Sequence, residues 1–329
     1  MKNIQADIKS GNFKQVYLLY GEEAYLKQQY KQNLVKALNP DGDTMNFNHY
    51  EGKGIDVKQL IDLCETMPFF AERRVVLLED TGFFKNKCEE LADYMKELPD
   101  YLYLVFAETE VDKRNRMYKA VKACGSIAEF IRQDEKTLMR WAAGILGKAG
   151  KKITQRDMEL LLTKTGTDMG NLRMEMEKLI SYTEGRDVVT AEDIEEICTT
   201  QTTNRIFDMV RAVTEKNQKR ALELYYDLLT LKEPPMRILF LLAKQYRQLL
   251  LAKQFAAAGL AQTEIASKLG VPGFVVKNIT TCARAYTILE LEQAVKDFVD
   301  AEESVKTGRL EDKLSVELLI IKYSLSLIH

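Results

Sequence analysis

The first 130 residues alternate between two hydrophobic patterns. Val16–Tyr20, Arg74–Glu79 and residues 101–107 are nearly continuous apolar runs with β-branched or aromatic members, as in strands buried on both faces. Residues 46–50 and 125–130 predict two further, shorter strands. Between them the apolar spacing changes to three and four residues. It does so through Tyr25, Leu26, Tyr30, Leu34 and Leu38 in a predicted helix over 22–38, then in helices over 57–67, 88–98 and 116–123. Strands separated by helices imply right-handed crossovers and a parallel sheet.

After Gln133 only helical spacing is expected. One helix covers 136–149 and stops at Gly150. Thr154 caps a second that enters through Met158, Leu161 and Leu162, and a third covers Met169–Tyr182. Thr190-Ala191-Glu192-Asp193 is close to a capping box and opens a fourth. From Ile206 the pattern predicts helices over 207–214, 218–231, 235–258, 263–269, 274–282, 287–306 and 312–328, with Pro234-Pro235 at a helix start. The expected organisation is an α/β domain over 1–133, a small helical domain over 134–204 and a helical bundle over 205–329.

Composition narrows the class. The chain has 329 residues, 46% hydrophobic and 29% charged, with only 6 Pro and 17 Gly. This is the profile of a helix-rich globular protein. No run of 18 apolar residues predicts a membrane span, and the N-terminus lacks the apolar centre of a signal peptide, so a cytoplasmic location is the default expectation. The net charge is -2, and no segment is strongly basic: 18 basic against 21 acidic side chains over 1–131, 12 against 13 over 132–205, and 17 against 15 over 206–329. That argues against a stand-alone DNA binder. Cys64, Cys88, Cys124, Cys198 and Cys282 lack metal-ligand spacing, and the two histidines, His49 and His329, lie too far apart in sequence to suggest a His-rich metal site or a His-centred triad. No metal is expected.

The candidate chemistry begins where the first strand ends. In Val16-Tyr17-Leu18-Leu19-Tyr20-Gly21-Glu22-Glu23-Ala24-Tyr25-Leu26, a buried strand leads through a glycine turn into a helix. A nucleotide-binding fold cradles phosphate at this place with backbone N–H groups, a Lys and a Ser or Thr. Here the Gly-rich run is missing, and Glu22 and Glu23 occupy the turn. They suit the helix dipole and repel a triphosphate. Gly21, Glu22 and Glu23 therefore read as a degenerate phosphate loop. Glu79 and Asp80 end a strand as Mg²⁺-holding acids do in ATPases, but without a phosphate loop they read as sheet-edge acids.

Met67-Pro68-Phe69-Phe70-Ala71-Glu72-Arg73-Arg74 is the less ordinary segment. Pro68 redirects the preceding helix. Adjacent residues on a regular element point apart, so one core does not easily absorb both Phe69 and Phe70. From these residues alone, packing inside the domain is the simpler expectation, and a partner-binding anchor is the alternative. Lys113-Arg114-Asn115-Arg116 and Lys148, Lys151 and Lys152 are the densest basic patches. They read as solvated surface, with phosphate contact as the second reading.

Together these segments resemble a known family, the delta subunits of the bacterial DNA polymerase III clamp loader, in its Firmicutes-type form. The opening 16–26 is similar to the family's degenerate phosphate loop. Residues 67–76 are similar to its clamp-binding segment. Gly170-Asn171-Leu172-Arg173 with Glu175, Glu177, Lys178 and Leu179 resembles its second-domain helix. Pro235-Met236-Arg237-Ile238-Leu239, Gln245-Tyr246-Arg247 and Glu303-Ser304-Val305-Lys306-Thr307-Gly308 resemble its collar. The resemblance implies an AAA+-like α/β domain, a helical lid and a C-terminal helical collar that oligomerises. It also implies partners: the sliding clamp (beta subunit), ATP-hydrolysing tau/gamma subunits, a delta-prime subunit and primed DNA. It assigns clamp binding to Met67, Pro68, Phe69 and Phe70, and implies no cofactor and no ATPase or polymerase chemistry in this chain. Two adjacent aromatics depart from members that pair an aliphatic with an aromatic residue. An ATPase using Glu79 and Asp80, or an adaptor whose phenylalanines are protected in the free chain, remain the alternative expectations.

Overall fold

In the computed structural model, residues 2–199, 202–271 and 273–325 are described. The chain divides into two compact units, 1–133 and 134–329. In the first, the elements run α1 (Lys2–Ser10), β1 (Val16–Tyr20), α2 (Ala24–Leu38), β2 (Phe47–Glu51), α3 (Val57–Glu65), β3 (Arg74–Glu79), α4 (Glu89–Tyr94), β4 (Leu102–Glu108), α5 (Arg116–Cys124) and β5 (Ser126–Glu129). The five strands form one all-parallel sheet in the order β2-β3-β4-β1-β5. The apolar runs are continuous because the central strands are covered twice. On one face Tyr17, Leu19, Val75, Leu77 and Val105 pack with Ile4 of α1 and with Leu34 and Leu38 of α2. On the other, Val16, Leu18, Val76, Leu78, Leu104 and Phe106 meet Leu60 of α3, Leu91 of α4 and Met117 of α5. Burying those faces is the main stabilising term of such a layer.

The sequence pattern missed α1. Its apolar stripe is only Ile4 and Ile8, one turn apart, too short to stand out. It is held by tertiary contact: Ile4 is fully buried and the Tyr17 hydroxyl donates to Asp7 at 2.9 Å. Helix α2 starts two residues later than expected, and α4 is shorter than the predicted 88–98.

The second unit begins with α6 (Glu135–Lys148), β6 (Lys152–Ile153), α7 (Gln155–Thr165), α8 (Met169–Tyr182), β7 (Val188–Val189) and α9 (Ala191–Ile197) around one apolar cluster. The expectation that strands stop at Gln133 needs correction, because β6 and β7 form a two-residue parallel pair. Two residues are too few to show a period. Thr190 and Asp193 do form a reciprocal capping box. The remaining helices, α10 (Thr202–Thr214), α11 (Gln218–Thr230), α12 (Pro235–Ala257), α13 (Gln262–Leu269), α14 (Gly273–Ala283), α15 (Ile288–Lys306) and α16 (Asp312–Ser324), share a separate apolar cluster. The end of the last predicted helix and His329 lie outside the described residues. No helix among the described residues is long and apolar enough to cross a membrane.

Candidate functional site

In the turn after β1, the N–H groups of Gly21 and Glu23 are committed within the protein. Gly21 has φ +126°, and its N–H donates to the Glu108 carbonyl at 3.3 Å. The Glu23 N–H donates to the Phe130 carbonyl at 3.0 Å, and the Phe130 N–H to the Tyr20 carbonyl at 2.7 Å. The chain leaving β5 therefore lies across the turn. A Cβ at Gly21 would come within 2.2 Å of the Phe130 oxygen. A phosphate loop works by aiming such N–H groups at its ligand; these two face carbonyls instead. Glu22 is exposed and pairs with Arg132 at 3.4 Å, while Glu23 is buried at the start of α2.

The charges around the sheet's carboxyl end are likewise internally matched. The Lys27 amine donates to the Glu108 carbonyl at 2.9 Å. Burial pulls its pKa down, against the opposing effect of Asp80, Glu108 and Glu79. Lys31 pairs with Glu79 at 2.6 Å, and His49 Nε2 lies 2.9 Å from the other Glu79 oxygen. Asp80 accepts from the Thr109 N–H at 3.0 Å and from its hydroxyl at 2.8 Å. Glu79 and Asp80 are thus tied to side chains and loops of the sheet edge. No cluster of three or more acidic, His or Cys side chains able to hold a metal occurs among the described residues. Of the basic patches, Lys113 pairs with Glu129, Arg114 with Asp112 and Arg116 with Asp93, and Lys151 donates to the carbonyls of Thr183 and Arg186.

The segment between α3 and β3 is arranged differently. Met67, Phe69 and Phe70 are 75%, 57% and 95% exposed, so the simpler expectation of core packing does not hold. The turn instead ties down the backbone of Thr66, Met67 and Phe69 and leaves its apolar side chains outside. Arg74, buried at the start of β3, donates through Nε to the Thr66 carbonyl at 2.9 Å and through Nη2 to the Met67 carbonyl at 3.3 Å. Pro68 follows, with no N–H to satisfy. The Phe69 N–H donates to Asn46 Oδ1 at 2.6 Å, and Asn46 Nδ2 donates to the Phe69 carbonyl at 2.9 Å. Phe70 then takes a left-handed conformation, φ +49°. Arg73 returns the chain to the sheet, its guanidinium 5.3 Å from the Phe13 ring centre and 5.4 Å from that of Tyr103. Asn46 and Arg74 escaped the sequence reading. Asn46 lies 23 residues from its partner, and nothing in the local pattern marks it.

A parallel sheet with β1 between β4 and β5, helices on both faces and a glycine turn at the end of β1 defines an AAA+-like module; here the phosphate turn is closed. A family model described as DNA polymerase III, delta subunit, matches residues 17–130, and a second, for the C-terminal domain of the same family, matches 203–323. The chain belongs to the DNA polymerase III delta subunit family. It is 26% identical to the DNA polymerase III subunit delta of Bacillus subtilis (strain 168), over 97% of this chain and 96% of that protein. It is 22% identical to the probable DNA polymerase III subunit delta of Aquifex aeolicus (strain VF5), over 80% of this chain and 77% of that one. Its fold is like that of the Bacillus subtilis DNA clamp loader delta protein (YqeN), with a TM-score of 0.68 and 24% identity over 98% and 99% of the two chains.

Proposed function

We propose that this chain is the clamp-binding member of a DNA polymerase III clamp loader, and that it favours the open form of the sliding clamp (beta subunit) through the knuckle Met67-Pro68-Phe69-Phe70. One observation carries the reading: two adjacent phenylalanines are held outward on a turn whose own backbone is hydrogen-bonded. Aromatic anchors of this kind dominate protein interfaces when a partner pocket takes them up, and two rings supply on the order of a few kcal/mol. An adaptor without clamp contact would protect them. If the pocket conformation that accepts the rings belongs to the open ring, binding shifts the population toward it without further chemistry. The closed turn at Gly21, Glu22 and Glu23 fits a protein that leaves ATP hydrolysis to neighbouring tau/gamma subunits, with delta-prime completing the assembly on primed DNA. In this reading residues 1–133 present the wedge, 134–204 form the lid and 205–329 form the oligomerising collar.

The deciding experiment titrates the cognate sliding clamp with the intact chain and with the Phe69→Ala, Phe70→Ala double variant. The double variant should bind at least about 30-fold more weakly, the loss of a single strong hot spot, with an unchanged urea midpoint. Equal affinity in a folded double variant would overturn the proposal.

A further inference from the structure

We propose that Asn46 is the positioning residue of this knuckle: its carboxamide locks the Phe69 peptide so that Phe69 and Phe70 are presented together before any partner arrives. The inference rests on the clamp-binding reading for its consequence, but not for its geometry. Asn46 is only 3% exposed, yet it sits directly beneath a turn that is almost wholly exposed. Its side chain contacts both backbone groups of Phe69, accepting from the N–H at 2.6 Å and donating to the carbonyl at 2.9 Å. This is the two-point pairing a neighbouring strand would make, supplied by one side chain. The carboxamide is fixed in turn by Asp43. Asp43 Oδ2 accepts from Asn46 Nδ2, while Oδ1 accepts from the Met45 N–H at 2.8 Å. The Asn46 contact holds the Asp43 carboxyl below its ordinary range, with the Met45 N–H adding to the effect. Asn46 also belongs to the sheet through its backbone, its carbonyl accepting from the Val75 N–H at 2.9 Å. The knuckle is thereby referenced to the rigid β2–β3 edge.

The consequence follows from the conformation next in line. With Phe69 pinned at both ends and the Thr66 and Met67 carbonyls held by Arg74, Phe70 turns left-handed, and its ring comes to 4.5 Å from that of Phe69. A bulky residue rarely adopts φ near +49° unless its surroundings impose it. Untethered, Phe70 relaxes toward extended backbone, and the two rings point apart. Asn46 therefore lowers the ordering required when the rings enter a pocket, which raises affinity without touching the partner.

The test uses the full chain carrying Asn46→Ala, and Asn46→Ser as the milder variant should the alanine variant fail to fold. In the free protein, exchange of the Phe69 amide hydrogen should accelerate about tenfold or more, while the amides of β4 keep their protection. Against the sliding clamp, affinity should fall about tenfold, and in a Phe70→Ala background the same change should have no further effect. A general loss of stability would instead move the β4 amides. Unchanged Phe69 exchange in a folded variant overturns the inference, as does an additive affinity loss in the Phe70→Ala background. Should the unmodified chain fail to bind the clamp, the functional reading fails, while the exchange measurement still decides whether Asn46 sets the knuckle.

Discussion

The rings of Phe69 and Phe70 meet edge to face, centroids 4.5 Å apart and planes inclined at 80°, although the two residues are neighbours in sequence. An extended backbone would send them to opposite sides. The positive φ of Phe70 breaks the alternation and gathers two separate side chains into one aromatic projection.

That geometry predicts a trade between stability and binding at Phe70. Glycine tolerates the left-handed region that phenylalanine enters under strain, at a cost on the order of 1 kcal/mol. The ring is 95% exposed, so removing it forfeits little burial. Phe70→Gly should raise the urea midpoint by the equivalent of about 0.5–1 kcal/mol while weakening clamp binding at least about 30-fold. Phe70→Ala should weaken binding as much with no such gain. A glycine variant less stable than the parent would show that the ring supports the fold.

The closed turn predicts a sharp contrast between neighbours. Gly21→Ala forces a Cβ against the Phe130 oxygen at a φ of +126°, neither of which the sheet can easily relieve. It should destabilise the α/β unit by more than about 2 kcal/mol. Glu22→Ala, one residue on and exposed, should stay within about 0.5 kcal/mol. Urea unfolding followed by the α/β unit's own signal distinguishes them, and equal effects would mean that the Phe130 chain is not held across the turn.

Nucleotide should not stabilise this chain. A functional site with a dissociation constant of about 10 μM would add about 2.7 kcal/mol at 1 mM Mg-ATP. Thermal unfolding with and without Mg-ATP should give the same midpoint, because the Gly21 and Glu23 donors already face carbonyls. A clear upward shift would revive the ATPase alternative built on Glu79 and Asp80.

Glu108 predicts the sign of one pH effect. It is 2% exposed, and its carboxylate accepts the Thr81 amide and hydroxyl at 3.1 and 2.6 Å. Burial raises its pKa, opposed by the Thr81 and Gly82 hydrogen bonds and reinforced by Asp80. A carboxyl whose folded pKa is raised binds more protons folded than unfolded. Its stabilising contribution is therefore full below the unfolded glutamate value and is lost as pH rises through the folded value. Relative to Glu108→Gln, which keeps the acceptor, the parent chain should lose stability over the range in which pH rises from the unfolded glutamate value of about 4.3 through the raised folded value. Urea midpoints that differ by a constant amount across that range would contradict it.

Burial on both faces was legible in the chain itself. Val16–Tyr20 and Val75–Leu78 are apolar throughout because a central parallel strand has no solvent side. The loss of the Gly-rich run and of the Ser or Thr after Gly21, where Leu26 and Gln28 flank Lys27, was equally plain, since a phosphate loop is a local motif. So was the oddity of two adjacent phenylalanines behind Pro68. What the sequence could not determine are the partners those residues find at long separation. Phe130 closes over Gly21 because β5 lies beside β1, and Asn46 reaches Phe69 because β2 lies beside β3. Strand order, not spacing, makes both contacts. Hydrophobic periodicity reports which side of an element is buried, whereas the hydrogen bonds that close one turn and hold another outward depend on which strand arrives next to which. The local pattern along the chain marks the Phe69-Phe70 knuckle and the broken phosphate motif, whereas the exposure, ring pairing and tethering of the knuckle arise only when distant strands come together.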